Sequence, residues 1–150
     1  MRAVVQRASS ASVAVDGKTV GQIGQGLVVL LGVAPGDGVE EVAFMVRKLG
    51  GLRIFSDDDG LMNRSLGDVG GSFLIISQFT LYGDVTRGNR PSFTGAASGE
   101  YADAVYRDVC SKLRAGGFTV QTGVFGAHMA VSLVNDGPVT IIIDTETPKA

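Results

Sequence analysis

Gly26-Leu27-Val28-Val29-Leu30-Leu31-Gly32 is the stretch that decides the fold. Seven residues without a polar side chain predict a strand that is buried on both faces, and such a strand lies inside a sheet that other elements cover. Three shorter β-type runs precede it, at 3–7, 11–15 and 19–23, and Asp16-Gly17 predicts a hairpin turn between the last two. The first 32 residues therefore predict a meander of four strands.

Two helical patterns interrupt the strands that follow. Apolar residues recur at helical spacing before Gly50-Gly51 and again before Gly116-Gly117, and Ser98 can cap the second helix. These apolar positions are Val39, Val42, Ala43, Val46 and Leu49, then Ala102, Val105, Tyr106, Val109, Cys110 and Leu113. Further strands are predicted at 52–55, 72–77, 119–122, 129–134 and 139–144. The order ββββ-α-ββ-α-βββ predicts a single compact α/β domain over residues 1–150, with a mixed, largely antiparallel or barrel-like sheet and two helices.

The composition excludes several classes of protein. The chain has 150 residues, 45% of them hydrophobic, which suffices for one domain with a sizeable core. A net charge of −2 is not the global basic field of a non-specific nucleic-acid binder, so any contact with RNA must be local. The sequence has no signal-peptide layout and no apolar run of roughly 18–20 residues, so we expect a cytoplasmic protein without a membrane span.

The sequence offers little to a metal ion. Cys110 is the single cysteine, which excludes an intrachain disulfide, and together with the one histidine, His128, it cannot form a conventional zinc site. Asp57-Asp58-Asp59-Gly60 resembles half of a calcium loop, but Asp68 stands where such a loop requires glutamate. We interpret this run as a solvated turn, and we expect neither a metal nor a cofactor.

The segment Asn135-Asp136-Gly137-Pro138-Val139-Thr140 lies between two predicted strands near the end of the chain. Asp136-Gly137 predicts the tip of a β-hairpin. Pro138 is unusual there, because proline lacks a ladder donor and is the residue whose preceding peptide bond is most often cis. On the residues alone a plain turn is favoured, and a cis bond stays open.

The segment Ser77-Gln78-Phe79-Thr80 follows a buried strand. Two hydroxyls, an amide side chain and successive backbone N–H groups could form an oxyanion hole, or the hydroxyls could merely satisfy the strand end. The one candidate base, His128, is interpreted as a surface or strand-end histidine. A hydrolase built this way needs a substrate that supplies its own proton relay, and an activated ester fits.

The chain resembles the D-aminoacyl-tRNA deacylases, the proofreading enzymes called DTD. The resemblance extends over nearly the whole sequence. It rests on Met1-Arg2-Ala3-Val4-Val5-Gln6-Arg7, Val29-Leu30-Leu31-Gly32-Val33, Leu52-Arg53-Ile54-Phe55, Ser77-Gln78-Phe79-Thr80-Leu81, Arg90-Pro91-Ser92-Phe93, Thr122-Gly123-Val124-Phe125-Gly126 and Asn135-Asp136-Gly137-Pro138-Val139-Thr140. It implies a homodimer that hydrolyses the ester between a D-amino acid, or glycine, and the terminal adenosine at the 3′ end of tRNA. It also implies a cis bond before Pro138, at a tip that reaches into the partner's site.

The resemblance assigns a role to each site residue. Phe79 and Thr80 offer backbone amides to the ester carbonyl, while Ser77 and Gln78 shape the pocket around the ribose. Gly137 and Pro138 meet the α-amino group and reject L side chains. Phe125 and Met129 line the adenosine pocket. Arg7 braces the Gly-Pro turn. The ribose 2′-hydroxyl relays protons.

Three alternatives remain at this stage. Thr80 as a nucleophile is the rival mechanism, ranked second because no nearby residue could deprotonate it. A non-catalytic RNA-end or nucleotide-binding protein could use the same pocket, with Phe79, Phe93 and Phe125 as stacking platforms. A dimeric scaffold without a ligand is the third.

Overall fold

The computed structural model describes residues 1–146 and confirms a single α/β domain with a mixed sheet. The strands are β1 (Arg2–Val15), β2 (Lys18–Ile23), β3 (Gly26–Gly32), β4 (Phe55–Ser56), β5 (Met62–Arg64), β6 (Ser72–Ser77), β7 (Val120–Thr122) and β8 (Ala130–Asp144). The helices are α1 (Val39–Gly51), α2 (Leu66–Val69) and α3 (Gly99–Ala115), with a 3₁₀ helix at Phe79–Tyr82. None of these helices is both long enough and apolar enough to cross a membrane.

Strand β1 organises the main sheet because it has neighbours along both edges. One edge pairs with β8 over almost its whole length, and the other pairs first with β3 and then with β2. Beyond β3 the sheet continues through β6 to β7 with parallel pairing. Strand β2 approaches β7 so closely that a Cβ on Gly21 would lie 2.6 Å from the Thr122 carbonyl oxygen. The sheet therefore curls into a nearly closed barrel.

The core lies on both faces of β3 and β6, as the apolar run 26–32 predicts. Alternate residues of each strand face the helices or the barrel interior, where Val28, Leu74 and Ile76 pack against β1. All six predicted apolar positions of α3 are buried, and Cys110 among them is a core thiol, 2% exposed. In α1 the buried residues are Val42, Met45 and Leu49.

Several predicted element boundaries are wrong. The runs 3–7 and 11–15 form one strand, β1, because its continuous partner β8 carries the pairing across the residues between them. The predicted strand 52–55 is reduced to β4, which pairs with the unpredicted β5 in a small separate sheet. Helix α2 was also not predicted, since a four-residue helix has too few positions to show a period.

The predicted hairpin at Asp136-Gly137 is wrong as well. The runs 129–134 and 139–144 belong to one strand, β8, which pairs with β1 on both sides of the Gly-Pro pair. Thr140 pairs with Gln6 and Asn135 pairs with Ala8, so the four residues between them bulge opposite one residue of β1. Because β1 is long enough to pair with both runs, they continue in one direction as a single strand. The turn residues of the sequence had instead suggested that the chain reverses direction there. We call Asn135–Val139 the β8 bulge.

Candidate active site

The segment Ser77–Thr80 lies where β6 ends and the 3₁₀ helix begins. Ser77 is the last residue paired with β3, and the Gln78 amide donates to the Leu31 carbonyl at 2.8 Å. The backbone then turns away from the sheet. The first N–H groups of a helix have no partner within it, and those of Phe79 and Thr80 donate no hydrogen bond to residues 1–146. Two neighbouring amides are thus available to a ligand.

A cleft of about 550 Å³ opens beside this segment. Five of the predicted site residues line it, namely Ser77, Gln78, Phe79, Phe125 and Met129. Its remaining wall comes mainly from β3, α3 and the segments before α3 and β8. The Phe79 ring is 58% exposed and stands edge-on to Phe93, with the ring centroids 5.1 Å apart. The cleft is therefore largely apolar, with polar side chains at Ser77, Gln78, Tyr106 and His128, and Thr80 lies just outside its lining.

Few groups that line the cleft can exchange protons. Among the lining residues that the structure describes, only Tyr106 and His128 have titratable side chains. The Tyr106 hydroxyl donates to the Ile75 carbonyl at 2.6 Å, and burial, with the nearby Cys110 adding to it, raises the pKa of Tyr106 far above its usual value. It is therefore held as a neutral donor. The imidazole of His128 is exposed at the rim.

The Thr80 hydroxyl has a partner that cannot activate it. The Gln78 side-chain amide donates to Thr80 Oγ1. An amide does not accept a proton at neutral pH, so this contact orients the hydroxyl without making it a nucleophile.

The β8 bulge is exposed at its centre and held by hydrogen bonds from both sides. Gly137 and Pro138 are exposed, and the peptide bond between them is cis. The Asn135 side-chain carbonyl accepts from the Val139 amide at 2.9 Å. Arg7 donates to the Asp136 carbonyl at 3.0 Å and to the Ile54 carbonyl at 2.7 Å. Arg7 thus contacts the bulge where the sequence placed it, although its contribution to activity stays a prediction.

The two groups of predicted site residues are far apart within one chain. Ser77 pairs with Leu31, which pairs with Ala3 of β1, whereas the β8 bulge lies opposite Arg7. Four residues along β1 correspond to roughly 13 Å, and three strand spacings from β6 to β8 add about 14 Å across the sheet. Neither Gly137 nor Pro138 lines the cleft.

Known proteins resemble this chain over almost its full length. The family model described as D-Tyr-tRNA(Tyr) deacylase matches residues 4–144. Proteins named D-aminoacyl-tRNA deacylase from Prosthecochloris aestuarii and Deinococcus radiodurans are 58% and 56% identical, and each match covers at least 96% of this chain and 99% of the relative. The chain belongs to the D-aminoacyl-tRNA deacylase family.

A solved structure supports the same fold for this deacylase family member. The protein titled "c-Myc DNA Unwinding Element Binding Protein" superposes with a TM-score of 0.91 at 41% identity, over 97% of this chain and 99% of its own. The family resemblance found in the sequence is therefore confirmed.

The cleft also contains residues to which the sequence analysis gave no site role. His128 was predicted to be a surface or strand-end histidine, and it does precede β8, but it also lines the cleft. Ala96 and Ala97 form part of the wall, and the Ala97 amide donates to the Val33 carbonyl at 2.9 Å. Alanines give no chemical signal in a sequence, so only the fold could find them.

The acidic run before β5 is a turn, as predicted. Asp57 accepts hydrogen bonds from the amides of Asp59 and Leu61, each at 2.9 Å, and its carboxylate is directed at its own loop. Within residues 1–146 no group of three or more histidine, cysteine, aspartate or glutamate side chains is placed to hold a metal ion.

Proposed function

We propose that this chain is a proofreading hydrolase that cleaves the ester bond of D-aminoacyl-tRNA in the cytoplasm and releases free amino acid and tRNA. The observation that carries the proposal is the pair of amides of Phe79 and Thr80, which have no partner within residues 1–146 and begin at the apolar cleft that Phe79 lines. Fixed backbone donors stabilise the oxyanion of acyl transfer without any change of protonation. The relatives named D-aminoacyl-tRNA deacylase support a charged tRNA as the source of the ester.

The reaction needs a proton path, and the substrate supplies it. Water attacks the ester carbonyl carbon, and the negative charge on the carbonyl oxygen is held by the two amides. The proton lost by the water passes through the 2′-hydroxyl of the terminal ribose to the departing 3′-oxygen. This route uses neither Tyr106, which stays protonated, nor the exposed His128. Ser77 and Gln78 position the ribose from the cleft wall.

A covalent route through Thr80 is the competing mechanism. It requires a base that takes the hydroxyl proton, and the group in contact with Thr80 Oγ1 is the amide of Gln78. The route assisted by the 2′-hydroxyl needs no such base and is therefore preferred. An ester of 2′-deoxyadenosine should then be cleaved very poorly, whereas a covalent enzyme would still form an acyl-Thr80 intermediate.

The complete site is proposed to form between two copies of this chain. Strand β8 has one partner, β1, and within residues 1–146 its other edge is unpaired. The β8 bulge on that strand is too distant to act on its own Ser77–Thr80 segment. In a homodimer, Gly137 of the partner subunit and Pro138 of the partner subunit would complete each cleft.

Main-chain atoms are well suited to excluding L-amino acids sterically. A hydrophobic pocket separates near-isosteres by only about 1–3 kcal/mol, so a clash is needed to exclude the abundant L-aminoacyl-tRNA. Main-chain atoms of Gly137 and Pro138, held by Arg7 and Asn135, cannot move aside as a flexible side chain could. Glycine has no side chain to clash, so glycyl-tRNA would also be cleaved.

The proposal is tested by hydrolysis of matched esters. A tRNA minihelix carrying a D-amino acid, the same L-amino acid or glycine is incubated with the protein, and released amino acid is measured. We expect rapid cleavage of the D and glycyl esters and slow cleavage of the L ester. Binding of the minihelix without hydrolysis of any ester would instead identify a non-catalytic RNA-end or nucleotide-binding protein.

A further inference from the structure

Residues 84–92 form an ordered arm at the edge of the cleft. Asp84 and Ser92 exchange two backbone hydrogen bonds, of 2.8 Å and 2.9 Å, which close the loop between them. The Asp84 side chain also accepts from the Thr86 amide at 2.9 Å. The next residue, Phe93, lines the cleft and packs edge-on against Phe79. The arm is thus joined directly to Phe93, whose ring contacts Phe79, and Phe79 carries one of the two amides at the cleft.

The arm carries two cations that the fold does not use. Arg87 and Arg90 are exposed, and neither makes an ion pair or a hydrogen bond with residues 1–146. Most other arginines are engaged with the fold through hydrogen bonds, as Arg2, Arg7, Arg53, Arg64, Arg107 and Arg114 are. The single carboxylate on the arm, Asp84, already accepts from Thr86. The arm therefore presents a net positive charge.

A tRNA substrate needs cations outside the cleft. Within residues 1–146 no lysine or arginine lines the cleft, and the whole chain has a net charge of −2. The phosphate of the terminal nucleotide is one ribose away from the ester, so it lies near the amides that hold the ester carbonyl. We place the exit of the RNA backbone on the side of Phe79 and Phe93, because the base is assigned to Phe125 and Met129 in the same lining. That is the side from which the arm extends.

We infer that the arm binds phosphates of the single-stranded 3′ end of tRNA through Arg87 and Arg90. This inference rests on the proposed function, since it assigns the part of the same substrate that lies outside the cleft. Guanidinium groups suit the task because each can donate two parallel hydrogen bonds to one phosphate. The arm supplies affinity for RNA, and the chemistry stays with Phe79 and Thr80.

The test compares two substrates that share the ester and differ in phosphates. The double variant Arg87→Gln/Arg90→Gln is assayed on a D-aminoacyl minihelix and on D-aminoacyl-adenosine, which carries no phosphate. On the minihelix we expect KM to rise with kcat little changed. On the adenosine ester we expect the rate of the unmodified protein. Arg47→Gln on α1, which does not line the cleft, is the matched control.

Salt dependence gives a second, independent measurement. Each phosphate contact to single-stranded RNA contributes a slope of about −0.7 in log affinity against log salt. Two lost contacts flatten the slope by about 1.4, so between 50 and 200 mM salt the unmodified protein should lose roughly sevenfold more affinity than the double variant. Equal loss on both substrates, or an unchanged KM and salt slope on the minihelix, would overturn the inference. Failure of the unmodified protein to cleave either substrate would contradict the proposed function instead.

Discussion

The Ser77–Thr80 segment and the β8 bulge both contain exposed backbone that we assign to substrate binding, but the fold holds them in different ways. The first continues a strand with neighbours on both sides, and its position follows from the buried core of β3 and β6. The second lies on a strand that has one neighbour among residues 1–146, and it depends on side-chain contacts from Arg7 and Asn135. A buried strand end and a bulge braced by side chains are thus two ways to fix main-chain atoms in place.

The largest loss of activity is expected from removing a backbone amide of the Ser77–Thr80 segment, which we call the first region; the β8 bulge is the second region. Phe79 begins the 3₁₀ helix, where the fixed φ of proline is tolerated, so Phe79→Pro deletes the N–H with little distortion. Loss of one oxyanion donor typically costs roughly 10²–10³ in rate. Phe79→Ala, which loses the ring but keeps the amide, is the control in single-turnover cleavage of a D ester. Equal rates for the two variants would show that the amide does not act.

A smaller but still large effect is expected from Gly137→Ala in the second region. Gly137 has φ +142, and a Cβ there would lie 2.7 Å from the Val139 amide nitrogen. Strain of about 1–3 kcal/mol should displace the bulge and reduce activity roughly tenfold to a hundredfold, or relax discrimination between D and L esters.

Mixing the two variants tests whether the regions belong to different subunits. Equal amounts of Phe79→Pro and Gly137→Ala protein give half heterodimers, each with one intact site of two, so about a quarter of the original activity should return. Exchange of subunits must be verified separately. No recovery after verified exchange would place both regions in a site within one chain.

Arg7→Lys should lower the activity that depends on the β8 bulge by about tenfold. The guanidinium contacts two carbonyls, those of Asp136 and Ile54, and a lysine ammonium cannot reproduce both contacts in the same geometry. Losing one such hydrogen bond costs about 1.5 kcal/mol. Arg53→Lys, which weakens a contact to Asn63 away from the bulge, is the control. If both variants lower Tm equally and neither changes the ratio of D to L cleavage, Arg7 acts only on stability.

The smallest effect is expected from Thr80→Ala. This change keeps the backbone amide of the first region and removes only the hydroxyl that Gln78 contacts. Activity should stay within about threefold of the original, because no transition-state donor is lost. A folded Thr80→Ala variant that binds substrate but is as slow as the uncatalysed reaction would favour covalent catalysis.

The sequence predicted the first region better than the second. Ser72–Ser77 was predicted with its observed bounds, because a short apolar run between turn signals describes a buried strand without help from its neighbours. The β8 bulge was predicted as a hairpin tip, since Asn, Asp, Gly and Pro in sequence are typical of a reversal. Whether a chain reverses or bulges at such residues depends on how far its partner strand extends, and local sequence does not contain that information.

The cleft illustrates the same limit. Phe125 and Met129 were found through the family resemblance, whereas Ala96 and Ala97 could be located only once α3 and β3 were in place. His128 was recognised as the lone histidine, but its position on the cleft rim follows from where β8 begins. Residues that contribute through their position, and not through a reactive or polar side chain, cannot be identified from the sequence alone.

The pairing of β1 with β8 also has a consequence during synthesis of the chain. Strand β1 is made first, and its partner β8 begins at Ala130. At synthesis rates of about 5–20 residues per second, the edge of β1 that later receives β8 waits for roughly 6 to 26 seconds. An open edge is a template for pairing with other chains. When β8, the strand that contains the Gly-Pro pair, finally pairs with β1, the exposed edge of β1 can no longer pair with other chains and promote aggregation.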